Sequence, residues 1–252
     1  MISKSIFHFF WFGTCVRYLQ DAEEGYTLGE DGGDATIHNL TAFFQYLDEL
    51  ELQVTNRASY ELRKFFDELS LLDSKSKLTK TQASRLSKLI TELRKTLFAE
   101  LRGFHAYVVT PKHLDVRRLL EDVPSLLKPE HYNGLPSIAQ YDLAEAGKCI
   151  AFERPTAAAF HLLRATEGVF RDFYCTLVKQ KRCDLMWGPM LADLRKRKKA
   201  RAHAVLLSNL DNIRKSFRNP TQHPEMTYDI HEVQDLWGLC IDAINRMATA
   251  SS

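Results

Sequence analysis

Apolar residues recur every three or four positions along most of this 252-residue chain, the spacing that gathers them on one face of an α-helix. Leu40, Phe43, Phe44, Leu47 and Leu50 form one stripe, and Leu62, Phe65, Phe66 and Leu69 a second. Leu86, Leu89, Ile90, Leu93, Leu97 and Leu101 form a third. Helices are therefore expected over residues 36–52, 58–72 and 80–104, with 73–77 as a turn and Thr79 as the N-cap of the third. The pattern returns over 138–153, 156–179, 186–197, 204–217 and 228–247, with Thr156 as an N-cap just behind Pro155. Five helices in so short a span make a bundle, and the charged residues between their stripes are solvated faces.

The two helical halves are separated by a change of character. Ala106-Tyr107-Val108-Val109-Thr110-Pro111 is β-branched and ends at proline, so it reads as a strand or an extended connector. Four of the eight prolines, Pro111, Pro124, Pro129 and Pro136, then fall within 111–137, which has room for a short helix over 114–127. The expected organisation is all-α: an N-terminal helical region over 1–110, a proline-rich connection over 111–137, and a C-terminal helical bundle over 138–252.

Composition narrows the partners. A 45% apolar and 26% charged chain is ordinary for a globular protein, and its net charge of +2 confines any nucleic-acid binding to local patches. The five cysteines are scattered with no CxxC pair, so neither a zinc site nor a disulfide framework is expected, and a reducing compartment fits. Ile6-Phe7-His8-Phe9-Phe10-Trp11-Phe12 is too short to span a bilayer and lacks a signal-peptide cleavage site, so it reads as a buried or partner-facing segment of a cytoplasmic protein with no membrane partner. Gly29-Glu30-Asp31-Gly32-Gly33-Asp34 lacks the ligand spacing of a calcium loop and reads as an exposed turn. Walker, GxGxxG, HExxH and GxSxG motifs are absent, so no cofactor and no metal is expected.

The chemistry-bearing stretch is Ser216-Phe217-Arg218-Asn219-Pro220-Thr221-Gln222-His223-Pro224, between the last two helices. Pro220 has no backbone N–H and disfavours helix in the residue before it, so the first helix should end near Arg218, with His223 in the loop beyond. Arg218 and His223, separated by four residues and set between helices, resemble the Arg-X(4–6)-His motif of the HEPN superfamily. The run from Thr156 to Glu167 also resembles an opening helix of bacterial HEPN-like proteins, so the resemblance covers roughly 138–248.

The resemblance implies a metal-independent endoribonuclease acting as a homodimer, often a bacterial toxin or antiphage effector, with RNA as substrate and an antitoxin or regulatory protein as a further partner. RNA carries its own nucleophile, the 2′-hydroxyl. Arg218 would hold the phosphate, His223 would transfer protons, and Asn219 would orient one of them. His161, Arg164 and Glu167 stand three apart on one helix face, where they would support the site, Glu167 holding Arg218 or Arg164. Arg195, Lys196, Arg197, Lys198, Lys199 and Arg201 give six cations in seven positions that would draw in RNA.

Each feature also has a bland reading. Arg218 would be a cation at a helix C-terminus, and His223 a loop residue bonded to backbone. Arg164 and Glu167 would be an intrahelical pair, His161 a satisfied core histidine, and the basic run a solvated loop. The alternative function is a non-catalytic helical module that binds a nucleotide or a protein.

Overall fold

The structure is a computed structural model that describes residues 5–29, 34–105, 107–181, 183 and 185–251, without the side chains of Lys199 and Ser251. No strand occurs among the described residues, and Thr27 makes only isolated bridges to Ala35 and Lys77. The fold is all-α. It divides into two compact units, Met1–Tyr107 and Val108–Ser252.

The N-terminal unit contains α1 (Ile6–Gln20), α2 (Thr36–Glu49), α3 (Gln53–Ala58), α4 (Tyr60–Ser70) and α5 (Lys80–Leu101). The three stripes meet in one core that buries Leu40, Phe43 and Leu47 with Leu62, Phe65, Leu86 and Ile90. Thr79 caps α5 as its position suggests: its hydroxyl accepts from the Gln82 amide, and the Gln82 side chain accepts from the Thr79 amide at 2.9 Å. Helix α3 has a distant cap. The Glu100 carboxylate of α5 accepts from the amides of Val54 at 2.9 Å and Thr55 at 2.8 Å, at an N-terminus that favours negative charge. Helix α1 buries Phe12, Val16 and Leu19 and leaves Ile6, Phe7 and Phe10 exposed. Gly25 and Gly29 take positive φ in the turn that follows; Glu30–Gly33 of the expected loop lie outside the described residues.

The C-terminal unit contains α6 (Val116–Glu121), α7 (Ser137–Ala151), α8 (Pro155–Val178), α9 (Trp187–Lys196), α10 (Ala204–Ile213) and α11 (Ile230–Ser251). Residues 107–112 form no regular element, and Ala106 of the expected extended run lies outside the described residues. The proline-rich stretch is packed rather than bare. Leu119, Val123, Leu127 and Leu135 are buried in the same core as α7 and α8, so this stretch belongs to the C-terminal unit. Helix α6 approaches α7 so closely that a Cβ at Gly147 would lie 2.5 Å from the Leu119 carbonyl oxygen. Gly147→Val is therefore expected to push α6 off α7 and to lower stability by about 1–3 kcal/mol, measured by urea unfolding. A change within about 0.5 kcal/mol, the range of neutral surface substitutions, would mean that this close approach is not maintained.

Two local expectations are corrected. Thr156 is not the N-cap of α8: Pro155 takes the first helical position, which its preset φ suits, and Arg154 precedes it as cap. Cys175 and Cys183 form a pair, with Cα atoms 6.0 Å apart, where no disulfide was expected. Lys179 turns the chain back through a left-handed conformation after α8, with the Gln180 amide donating to the Cys175 carbonyl, and this return brings position 183 beside 175.

Candidate functional site

Helices α7 and α8 run antiparallel, joined by a three-residue turn, so that Asp142 faces His161 and Arg164 while Ile138 faces Gly168. Helix α10 leads toward the same face of α8. Its last turn, Arg214–Arg218, is widened to a π-turn in which the Asn219 amide donates to the Arg214 carbonyl at 2.9 Å. An α-helix carried into Pro220 would force the proline ring against the carbonyl four residues back; the widened turn ends the helix instead. A 3₁₀ turn over Pro220–Gln222 follows.

The loop is tied down at the Phe217 carbonyl. Phe217 O accepts from the hydroxyls of Thr221 at 2.6 Å and Tyr228 at 3.2 Å, and the two hydroxyls are themselves 2.6 Å apart. The Tyr228 amide donates to the Thr156 hydroxyl at 3.2 Å, fastening the same loop to the start of α8. These bonds hold Arg218 against α8.

A cavity of about 230 Å³ opens there, walled by Phe160 and Leu163 and lined by His161, Arg164, Glu167, Arg218, Thr221 and Gln222. Arg218 is three-quarters buried, and its Nε and Nη2 both lie 3.4 Å from Glu167 Oε2. Arg171 approaches the other carboxylate oxygen at 3.7 Å. Of the two arginines offered to Glu167, it is thus Arg218 that the carboxylate faces. Arg164 turns to α7, where its Nε donates to Asp142 Oδ2 at 2.6 Å and its Nη2 to Oδ1. His161 Nδ1 lies 2.8 Å from that same Oδ1. His161 is thus neither solvent-facing decoration nor a fully enclosed core residue: it is half-buried, with one nitrogen on a carboxylate and its ring on the cavity wall.

Asp142 is fully buried, and burial by itself would raise its carboxyl. Hydrogen bonds from Arg164 and His161, with their charges, outweigh that and hold it below the usual carboxylate range. A group whose folded-state value is depressed contributes stability above its unfolded value of about 4, and that stability is lost as pH falls through the folded value. The stability difference between wild type and Asp142→Asn is therefore expected to narrow as pH falls from about 4 toward 2. A difference that stays constant from pH 6 to pH 2 would contradict the paired carboxylate.

The remaining candidates lie apart from the cavity. His223 is exposed, has no side-chain hydrogen bond among the described residues, and follows the lining residue Gln222 without lining the cavity itself. Asn219 is exposed at the helix end, engaged through its backbone. None of the basic run lines the cavity, and part of it is already paired. Arg195 reaches Asp211 at 3.0 Å and Arg197 reaches Asp193 at 2.7 Å. Burial opposes ionisation of Asp211, but Lys215, Arg214 and Arg195 together hold it well below the usual range. Lys196, Lys198 and Arg201 are exposed, and the Lys199 side chain lies outside the described residues.

Asp142 was not singled out from the sequence, although a signal is there. It interrupts the apolar stripe of α7 formed by Ala139, Leu143, Ala146 and Ile150, and an acid in such a stripe needs a partner. Among the described residues no helix is long and apolar enough to cross a membrane. Comparison with known protein families, with curated proteins and with solved structures finds no match for this chain.

Proposed function

We propose that the C-terminal unit is a metal-independent endoribonuclease of HEPN type, which cleaves RNA by attack of its own 2′-hydroxyl. One observation carries the reading: the helix end bearing Arg218 is fastened so that its guanidinium lines the same cavity as His161, Arg164 and Glu167. Three guanidiniums, counting Arg171, stand against the carboxylates of Glu167 and Asp142, which leaves the site net positive and suited to a phosphodiester. The 3.4 Å contacts of Arg218 are long beside the roughly 2.7–2.9 Å of a strong charge-assisted bond, so phosphate oxygens can compete for its donors.

In the reaction the 2′-oxygen loses its proton and bonds to phosphorus while the 5′-oxygen leaves and gains a proton. The products are a 2′,3′-cyclic phosphate and a 5′-hydroxyl. Arg218 stabilises the crowded phosphate, and His223 takes the 2′ proton from the rim. The exposure of His223 suits a homodimeric cleft in which a second copy brings a further Arg218 and His223. Lys196, Lys198 and Arg201 draw RNA in. An activity of this kind belongs to a cytoplasmic toxin or antiphage effector restrained by an antitoxin or another regulatory protein.

A second reading has support of its own. Arg218 already has a carboxylate partner and His223 stands outside the cavity lining, as suits a module that binds a nucleotide phosphate without cleaving it. Incubating the protein with a mixed RNA pool in EDTA separates the two. Cyclic-phosphate ends from wild type, absent with Arg218→Ala and His223→Ala, are the result expected of the nuclease. Equal background from all three folded proteins, with nucleotide binding retained by wild type, would leave the binding module.

A further inference from the structure

We infer that His161, oriented by Asp142, is the general acid of this cavity, delivering a proton to the leaving 5′-oxygen of an RNA phosphodiester held by Arg218. The inference rests on the endoribonuclease reading above and adds a proton donor that the Arg218–His223 motif does not contain.

The argument begins with a buried charge. Asp142 is fully enclosed, and such a carboxylate persists only if paired and hydrogen-bonded. Arg164 already does this with two parallel bonds, one to each oxygen, so charge balance does not require His161. Yet His161 places Nδ1 2.8 Å from Oδ1. An ionised carboxylate only accepts, so the proton of this contact sits on Nδ1, and that assigns the tautomer. The other nitrogen, Nε2, has no hydrogen-bond partner among the described residues, and the side chain, about a quarter exposed, lines the cavity. One nitrogen is thus spent on Asp142, and the other is left without a partner on a residue that shares the cavity lining with Arg218.

The acid role follows from the division of labour: His223 takes the 2′ proton, so the leaving 5′-oxygen needs a second donor, and the doubly protonated ring is the form in which Nε2 has a proton to give. The other groups around the ring are Tyr141 from α7, with ring centres 6.5 Å apart, Arg164 and Glu167 from its own helix, and Arg218 from the π-turn. Of these groups and Asp142, it is Asp142 that is hydrogen-bonded to the ring. In the step itself His223 removes the 2′ proton, the 2′-oxygen bonds to phosphorus, and the bond from phosphorus to the 5′-oxygen breaks. That oxygen takes the Nε2 proton, and the cycle closes when His223 gives its proton to water and neutral His161 takes one from it. Asp142 touches no substrate atom and is a positioning residue.

The test compares two oligoribonucleotides that differ at one atom, the bridging 5′-oxygen in one and sulfur in the other, since a thiolate leaves without protonation. His161→Asn is expected to lower kcat on the oxygen substrate by about 10²–10³-fold with KM changed less than about threefold. On the sulfur substrate the loss is expected to shrink below about tenfold. Asp142→Asn is expected to lower kcat more on the oxygen substrate than on the sulfur substrate, a difference that a merely structural carboxylate would not produce. Equal losses of kcat on the two substrates, or an unchanged kcat in His161→Asn, would remove His161 from the chemistry while leaving the nuclease standing. Absence of cyclic-phosphate product from wild type on either substrate would instead sink the nuclease reading, and this role with it.

Discussion

If the C-terminal unit cleaves RNA as proposed, Arg218→Ala is expected to lower the rate by about 10²–10³-fold, the usual cost of removing one preorganised donor to a developing negative charge. The arginine is held in place before substrate arrives. The π-turn and the hydroxyls of Thr221 and Tyr228 anchor its backbone, and Glu167 faces its guanidinium. Arg218→Lys is expected to recover only part of the loss, because an ammonium lacks the two-pronged donor geometry. Glu167→Gln supplies the control. If Glu167 acts only by placing Arg218, it costs activity in the wild-type background and almost nothing further in Arg218→Ala. Single-turnover cleavage of a defined oligoribonucleotide, with folding checked by circular dichroism, compares wild type, the three single variants and the double variant. Wild-type rates from Arg218→Ala would move the chemistry away from this cavity.

Phe170→Ala carries the largest expected effect on stability, about 3–5 kcal/mol, and that effect should be confined to one unit. Phe170 is fully enclosed in the C-terminal core, its ring centre 5.9 Å from that of Trp187. Truncation leaves a cavity that rigid helices close only in part. Each unit carries its own reporter thiol. Cys240 is buried in the C-terminal core and Cys15 in the N-terminal unit, and burial pushes their thiols up to about 12 and about 11. Neither is reactive until its unit opens. In a Cys149→Ser background, Phe170→Ala is expected to speed labelling of Cys240 by on the order of 10²–10³-fold and to leave Cys15 within a few-fold. Equal acceleration of both thiols would mean that the units open together.

How much was legible depends on how local each feature is. The stripes of α2, α4 and α5 and of the long C-terminal helices were readable because each repeats at the helical period. The Thr79 cap was readable because its partner Gln82 is three residues away. Helix α1 was not read as a helix, since Ile6–Phe12 is almost continuously apolar and shows no such period. Helix α3 falls almost wholly in the gap between the helices expected over 36–52 and 58–72, where no apolar stripe marks it. It depends on Glu100, some 45 residues distant, capping the amides of Val54 and Thr55. Residues 111–137 looked like a connection because proline density is a local property, whereas the burial of Leu119 against α7 is not.

For the site, the sequence by itself determined that the chain is helical, that Pro220 ends α10 near Arg218, and that His161, Arg164 and Glu167 share a face of α8. Those follow from backbone sterics and from the helical repeat. Only the tertiary structure decided their partners. Arg164 is within hydrogen-bond spacing of Glu167 along its own helix, yet it turns to Asp142, because the fully buried carboxylate on the facing helix must be neutralised, whereas Glu167 keeps some exposure and has Arg218 and Arg171 beside it. That choice leaves Glu167 to Arg218 and gives His161 its carboxylate. Pairings of this kind depend on which helix packs against which, and residues twenty to fifty positions apart become neighbours only when the bundle closes.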